Sequence, residues 1–170
     1  MADKYISQVN GVLTEKEAKD SSSGASDAGK IVALDSVGKL PTTMMPSGIG
    51  SETVPVEATE NLAVGDFVNV YSDLGAAKVR KADATTAGKE ANGFVLESVT
   101  SGSNATVHLP GQINNQLTGL TPGNLYWLST TAGGVSVSPP SGSGNAVQKV
   151  GRAVSATEMM VEFSDPIVLA

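Results

Sequence analysis

Leu62-Ala63-Val64-Gly65-Asp66-Phe67-Val68-Asn69-Val70 is answered later in the chain by Leu120-Thr121-Pro122-Gly123-Asn124-Leu125-Tyr126-Trp127-Leu128. The offset is 58 residues (123 − 65). The same offset carries Gly75 onto Gly133, Val79 onto Val137 and Gly93 onto Gly151. Phe94-Val95-Leu96 then falls on Arg152-Ala153-Val154, and no gap is needed between Leu62 and Ser98. Turn glycines and apolar runs that keep one spacing point to two copies of one β unit. Glycine is placed where a backbone needs positive φ or a close approach, so its register is a geometric signal. Two such units folding together predict a compact β-barrel or sandwich.

Working outward, residues 51–170 read as all-β. Pro55 in Thr53-Val54-Pro55-Val56-Glu57-Ala58 argues for an edge position, because proline lacks the N–H a ladder needs. Strands are expected at about 66–72, 76–81, 93–99 and 105–109. A second set is expected at about 125–129, 134–138, 147–154 and 158–163. The duplicated parts span about 62–109 and 120–163. Ser72-Asp73-Leu74-Gly75 and Thr131-Ala132-Gly133-Gly134 read as hairpin turns. The stretches Asp83–Glu90 and Pro139–Asn145 occupy equivalent places as longer loops of small residues.

Residues 1–50 have a different texture and read as an extended arm with at most one short helix. Thr14-x-x-Glu17 has the capping-box pattern and predicts that helix over about Thr14–Asp20. Asp27-Ala28-Gly29-Lys30-Ile31 is echoed by Asp35-Ser36-Val37-Gly38-Lys39-Leu40. Each copy is a turn carrying Asp and Gly, followed by Lys and an apolar residue. Pro41 and Pro46 bracket Met44 and Met45, and Ile49 follows. Ile31, Leu34, Leu40, Met44, Met45 and Ile49 have too few neighbours to form a core. They are the expected partner-binding residues of the arm.

Composition bounds the function. The net charge is −6, and an acidic chain is poorly suited to nucleic acid, where phosphate contacts need Lys and Arg; neither a nucleic-acid nor a membrane partner is expected. Lys78-x-Arg80-Lys81 is the one local basic cluster and reads as the solvent face of a strand. There is no cysteine, which removes disulfides and thiolate chemistry. No apolar run is long enough to span a bilayer. Met1-Ala2-Asp3-Lys4-Tyr5 lacks a hydrophobic signal core, so synthesis in the cytoplasm is expected. Gly24-Ala25-Ser26-Asp27-Ala28-Gly29-Lys30 fits seven positions of a phosphate-binding loop. Its eighth is Ile31, where Ser or Thr should hold magnesium. His108 is the only histidine and has no nucleophile elbow to serve. A zinc site needs three or four ligands. The carboxylates are scattered, with Asp27, Asp35, Asp73 and Asp83 in turns. Asn104-Ala105-Thr106 is a sequon by pattern and reads as a strand entry. Leu125 and Trp127 share one face of their strand, and Tyr126 and Leu128 the other. The expectation is no enzyme, no cofactor and no metal.

The arm sequence, from Ser26-Asp27-Ala28-Gly29-Lys30 through Gly38-Lys39-Leu40-Pro41 to Met45-Pro46-Ser47-Gly48-Ile49-Gly50, resembles N-terminal arms of tailed-bacteriophage virion proteins. Gly65-Asp66-Phe67-Val68-Asn69, Lys78-Val79-Arg80-Lys81-Ala82-Asp83-Ala84 and Leu125-Tyr126-Trp127-Leu128-Ser129-Thr130-Thr131 are similar to the same group. The members it resembles are capsid decoration (cement) proteins and short head fibres. The resemblance implies a non-enzymatic structural protein on the outer surface of the virion capsid. It implies a homotrimer, capsid stabilisation, the major capsid protein as partner, and an arm that binds the shell. Related arms occur on tail fibres. The alternative is therefore a tail-fibre or receptor-binding component that recognises a host surface, with a surface glycan as its ligand.

Overall fold

The structure, a computed structural model, describes residues 4–36, 38–41, 44–45 and 52–170. The chain divides into two compact units, Met1–Gly50 and Ser51–Ala170.

The first unit carries an antiparallel hairpin of β1 (Lys4–Val9) and β2 (Val12–Glu17). Its turn is Asn10-Gly11 with φ of 50° and 83°, the two left-handed residues a two-residue hairpin demands. This overturns the helix expected over Thr14–Asp20. Thr14 lies mid-strand opposite Ser7, and its hydroxyl donates to the Ser7 carbonyl. An Asn-Gly turn that aligns Val9 with Val12 closes a ladder of six pairs. A single capping box cannot compete with that. A short 3-10 turn covers Gly24–Asp27. Lys19 then bridges to Val32 in parallel.

The second unit is all-β. Five strands close a barrel: β3 (Thr53–Ala58), β4 (Phe67–Asp73), β5 (Ala76–Lys81), β6 (Gly93–Phe94) and β7 (Asn104–His108), in the order β3-β5-β4-β6-β7. An odd number of strands cannot close with antiparallel pairs alone. The unavoidable parallel junction is β3 with β5, through Glu57–Lys78 and Ala58–Val79. Ala58 N–H donates to the Ser103 carbonyl and Leu109 N–H to Glu52. Bonds from β3 to β7 therefore fall on even-numbered residues. Pro55 turns its missing N–H toward the β5 side, where the ladder has already ended.

The rest forms an open sheet of β8 (Ile113–Asn114), β9 (Leu125–Leu128), β10 (Val135–Ser136), β12 (Lys149–Ala153) and β13 (Met159–Val161). Its order is β10-β9-β12-β13-β8. β11 (Ala146–Val147) pairs with β14 (Ile167–Val168) beside it. The offset of 58 maps β5, β4, β6 and β3 onto β10, β9, β12 and β8, with β13 in the place of β7. Hence both copies pair their strands in one order. Individual bonds recur. Gly65 N–H to Val95 matches Gly123 N–H to Ala153, and Val95 N–H to Asp66 matches Ala153 N–H to Asn124. Gly65 and Gly123 share a φ of 85°. In the last hairpin the spacing shortens: Phe94 pairs with His108, whereas its equivalent Arg152 pairs with Met160.

Two cores result. Val56, Ala58, Leu62, Val68, Val79, Val95, Val99, Ala105 and Val107 fill the barrel. Small and β-branched side chains suit an enclosure this narrow. The second core joins the copies: Phe67, Ala82, Ala84, Ala91 and Phe94 of the first pack against Tyr126, Leu128, Val150, Ala153, Met159 and Val161 of the second. The buried Gln148 amide clamps the seam. It accepts from Ala91 N–H and donates to the Ala91 carbonyl, both at 2.8 Å. Buried Asn114 donates to the Gly65 carbonyl at 2.9 Å.

Gly93 and Gly151 are equivalent in sequence and in reason. A Cβ on Gly93 would strike Val107 Cγ1 and lie 3.0 Å from the His108 carbonyl oxygen. One on Gly151 would strike the Met160 carbonyl and lie 2.8 Å from Met159 Sδ. Gly93→Ala and Gly151→Ala should each destabilise the domain by about 1–3 kcal/mol through overpacking. Denaturant unfolding of each variant measures this.

Candidate functional surfaces

In the first unit, none of the described residues is buried. Ile6, Val9, Val12, Leu13, Ile31, Val32, Leu34 and Leu40 are all exposed. Of the expected arm residues, Ile31, Leu34 and Leu40 are 53%, 60% and 46% accessible, and Met44 and Met45 are half-buried. Ile49 lies outside the described residues. The hairpin contributes apolar surface that the reading of this segment as a helix missed. The Asn10-Gly11 pair followed by Val12 and Leu13 carried the signal.

Asp27 organises the loop around it. Its Oδ2 accepts the Ser23 N–H at 2.7 Å, and its Oδ1 faces Lys30 at 3.5 Å and Lys19 at 3.7 Å. The Ser23 N–H, followed by the two lysines, holds its carboxyl below the usual carboxylate range. The glycine-rich stretch 24–30 thus closes on its own aspartate. It forms a 3-10 turn followed by an extended segment at Ile31. A shallow cleft of about 420 Å³ beside it is lined by Lys16, Glu17, Lys19, Ala28, Gly29 and Lys30.

In the second unit His108 stacks on Phe94, with ring centroids 5.2 Å apart and planes at 23°. Its Nδ1 lies 3.1 Å from Gln112 Oε1. The ring is a wall element of the barrel. Among the described residues no cluster of three or more His, Asp or Glu could hold a metal ion. The acidic side chains near strand ends pair individually: Asp66 with Lys81 at 3.1 Å, Glu57 with Lys78 at 2.6 Å, Glu162 with Lys149 at 3.0 Å. Arg80 lies over the Tyr71 ring at 4.1 Å and bonds Asn69. Lys78, Arg80 and Lys81 are therefore each engaged within the barrel wall.

The first of the longer loops is bonded to the residue just after β9 and to the residue that follows the second loop. Ala84 N–H donates to Ser129, and Ala146 N–H donates to Ala84. Asp83 pins its own loop by accepting from the N–H and hydroxyl of Thr85. A cleft of about 290 Å³ opens by the second loop, lined by Ser129, Thr130, Ser136, Ser138, Ser141 and Asn145 with Pro139, Pro140 and Gly142. Its groups are hydroxyls and one amide, which can hold a polyol by hydrogen bonds. A second opening, of about 260 Å³, is apolar. It lies at the barrel, lined by Val54, Val56, Val70, Ala77, Asn92, Val107 and Leu109.

The outer face of the open sheet carries Leu125, Trp127, Met160 and Ile113. Tyr126 and Leu128 face the core, in the alternation that the strand pattern predicts. Met160 and Ile113 were not among the expected site residues. Their side of the sheet is decided by pairing with strands distant in sequence.

No family model matches the chain, and no curated protein matches it.

Asp27 gives a pH test. Its carboxyl titrates below its unfolded value of about 3.9. Its contribution is therefore complete above that value and is lost as pH falls through the lower, folded value. Protection factors at Ser23 and Lys30, taken against the intrinsic exchange rate at each pH, should fall in that acid window. Asp27→Asn should bring the same loss of protection at neutral pH.

Proposed function

We propose that the protein is a non-enzymatic structural component of a tailed-phage virion, of the capsid decoration or head-fibre type. Its first fifty residues bind the outer face of the major capsid protein, and its β domain projects from the shell. The observation that carries this reading is the first unit's surface: eight large apolar side chains exposed, and no described residue buried. A two-stranded hairpin is marginal by itself in water. Such a segment gains its stability from the surface it covers. Each large apolar side chain buried there is worth about 1.5–3 kcal/mol. Binding only the assembled shell, the segment stabilises that state by mass action. Contacts that bridge neighbouring shell subunits resist internal pressure. The domain's own two cores make it a rigid body independent of that attachment.

Deletion of residues 1–50 should leave a cooperatively folded domain that binds heads at least about a hundredfold more weakly. Co-sedimentation with heads lacking the protein measures this, and undiminished binding sinks the anchoring role. Immunogold electron microscopy against residues 52–170 should label the head surface.

A second reading is favoured by the hydroxyl-lined cleft at Pro139–Asn145. In it the domain is a tail-fibre or receptor-binding component that holds a host surface glycan. Exchanging loops 83–90 and 139–145 for those of a related phage then changes host adsorption, and label gathers at the tail tip. Unchanged adsorption removes this reading.

A further inference from the structure

The 58-residue equivalence brings out an asymmetry between the copies. In the first copy Phe67 on β4 pairs with Phe94 on β6. Both are fully buried in the core shared with the second copy. Their equivalents, Leu125 on β9 and Arg152 on β12, are paired in the same way but face outward. The row continues through Met160 on β13 to Ile113 on β8. Leu125, Met160 and Ile113 are 37%, 44% and 43% accessible. Arg152 donates to the Gly123 carbonyl, which satisfies part of its guanidinium. A neighbouring row holds Trp127 opposite Lys149, with Glu162 beyond at 3.0 Å from the Lys149 ammonium. The face covered in the first copy is therefore, in the second, a row of three apolar side chains and Arg152, beside a row with Trp127, Lys149 and Glu162.

We propose that a second copy of this chain covers this face, in a two-fold pair whose axis runs along the strands, in place of the homotrimer that the family resemblance implies. Strand order makes the face complementary to itself under that operation. Reversal across the sheet sets β9 over β8 and β12 over β13. Leu125 then meets Ile113 of the partner subunit, and the aliphatic stem of Arg152 meets Met160 of the partner subunit. Lys149 meets Glu162 of the partner subunit, and Glu162 meets the partner's Lys149. Leu125 and Ile113 face each other, Met160 faces the Arg152 stem, and Lys149 and Glu162 each face the opposite charge. An isologous interface needs this of both halves at once. Two twisted sheets packed face to face keep their strands near alignment, as this pairing does.

The test is the mass of the full chain by sedimentation equilibrium over a range of concentrations. The wild type should form dimers. Met160→Glu should weaken them at least about tenfold. Lys149→Glu and Glu162→Lys should each weaken self-association, since each places like charges across the interface. Mixed together, the two variants should form a heterodimer tighter than either homodimer, because opposite charges then face at both sites. All three positions are solvent-accessible, and unchanged thermal melts will separate lost pairing from lost folding. A chain monomeric at every concentration overturns the proposal. So does a trimer, or a dimer indifferent to Met160→Glu. A mixture no tighter than its components overturns the two-fold arrangement.

Discussion

Two strands carry the second unit because they are apolar on both faces. β4 turns Val68 into the barrel and Phe67 out of it, and β6 with the residue after it divides Phe94 and Val95 the same way. The barrel wall is thus also the floor of the second core. Phe67 packs tilted on Phe94 at 6.2 Å and edge-on to Phe163 at 6.1 Å. This row is the surface on which the second copy closes. A polar residue at either position would leave the barrel interior intact and remove the floor beneath Leu128, Val150 and Met159.

That double duty explains why two similar units end in different forms. The first has a six-residue β3 that reaches around to β5 and closes the ring. In the second, β8 and β10 have two residues each, and the sheet stays open. Its inner face is filled by the first copy instead of by itself. Asn114 stands where the first copy has Val56, and its amide reaches across to the Gly65 carbonyl. The copies are therefore joined head to tail. Head-to-tail joining always leaves one used and one unused equivalent face.

The first unit follows a different economy. Its order comes from an Asn-Gly turn, a six-pair ladder and an aspartate that gathers Ser23, Lys19 and Lys30. Backbone and electrostatic contacts hold its shape, and its large apolar side chains stay exposed. A segment built this way is suited to attachment, and a domain with two sealed cores is suited to being carried.

Much of the domain was legible because turn glycines and apolar runs kept one spacing. The strand at Ala76–Lys81 and the close approaches at Gly93 and Gly151 are local demands written at the residues themselves. The arm was legible as a coreless segment, but its hairpin was not. Thr14-x-x-Glu17 satisfies a helix cap, and the stronger two-left-handed-residue turn sits just before it at Asn10-Gly11. The short strands at Ile113–Asn114 and Ile167–Val168 carry no periodicity and exist through their partners alone. The sequence by itself determined an all-β domain with duplicated strands and turns, because alternation and glycine geometry act over a few residues. Only the tertiary structure decided which copy closes, which face of each is covered, and that Met160 and Ile113 share a row with Leu125. Those outcomes depend on pairings between strands far apart in the chain, and ring closure and sheet packing choose among them.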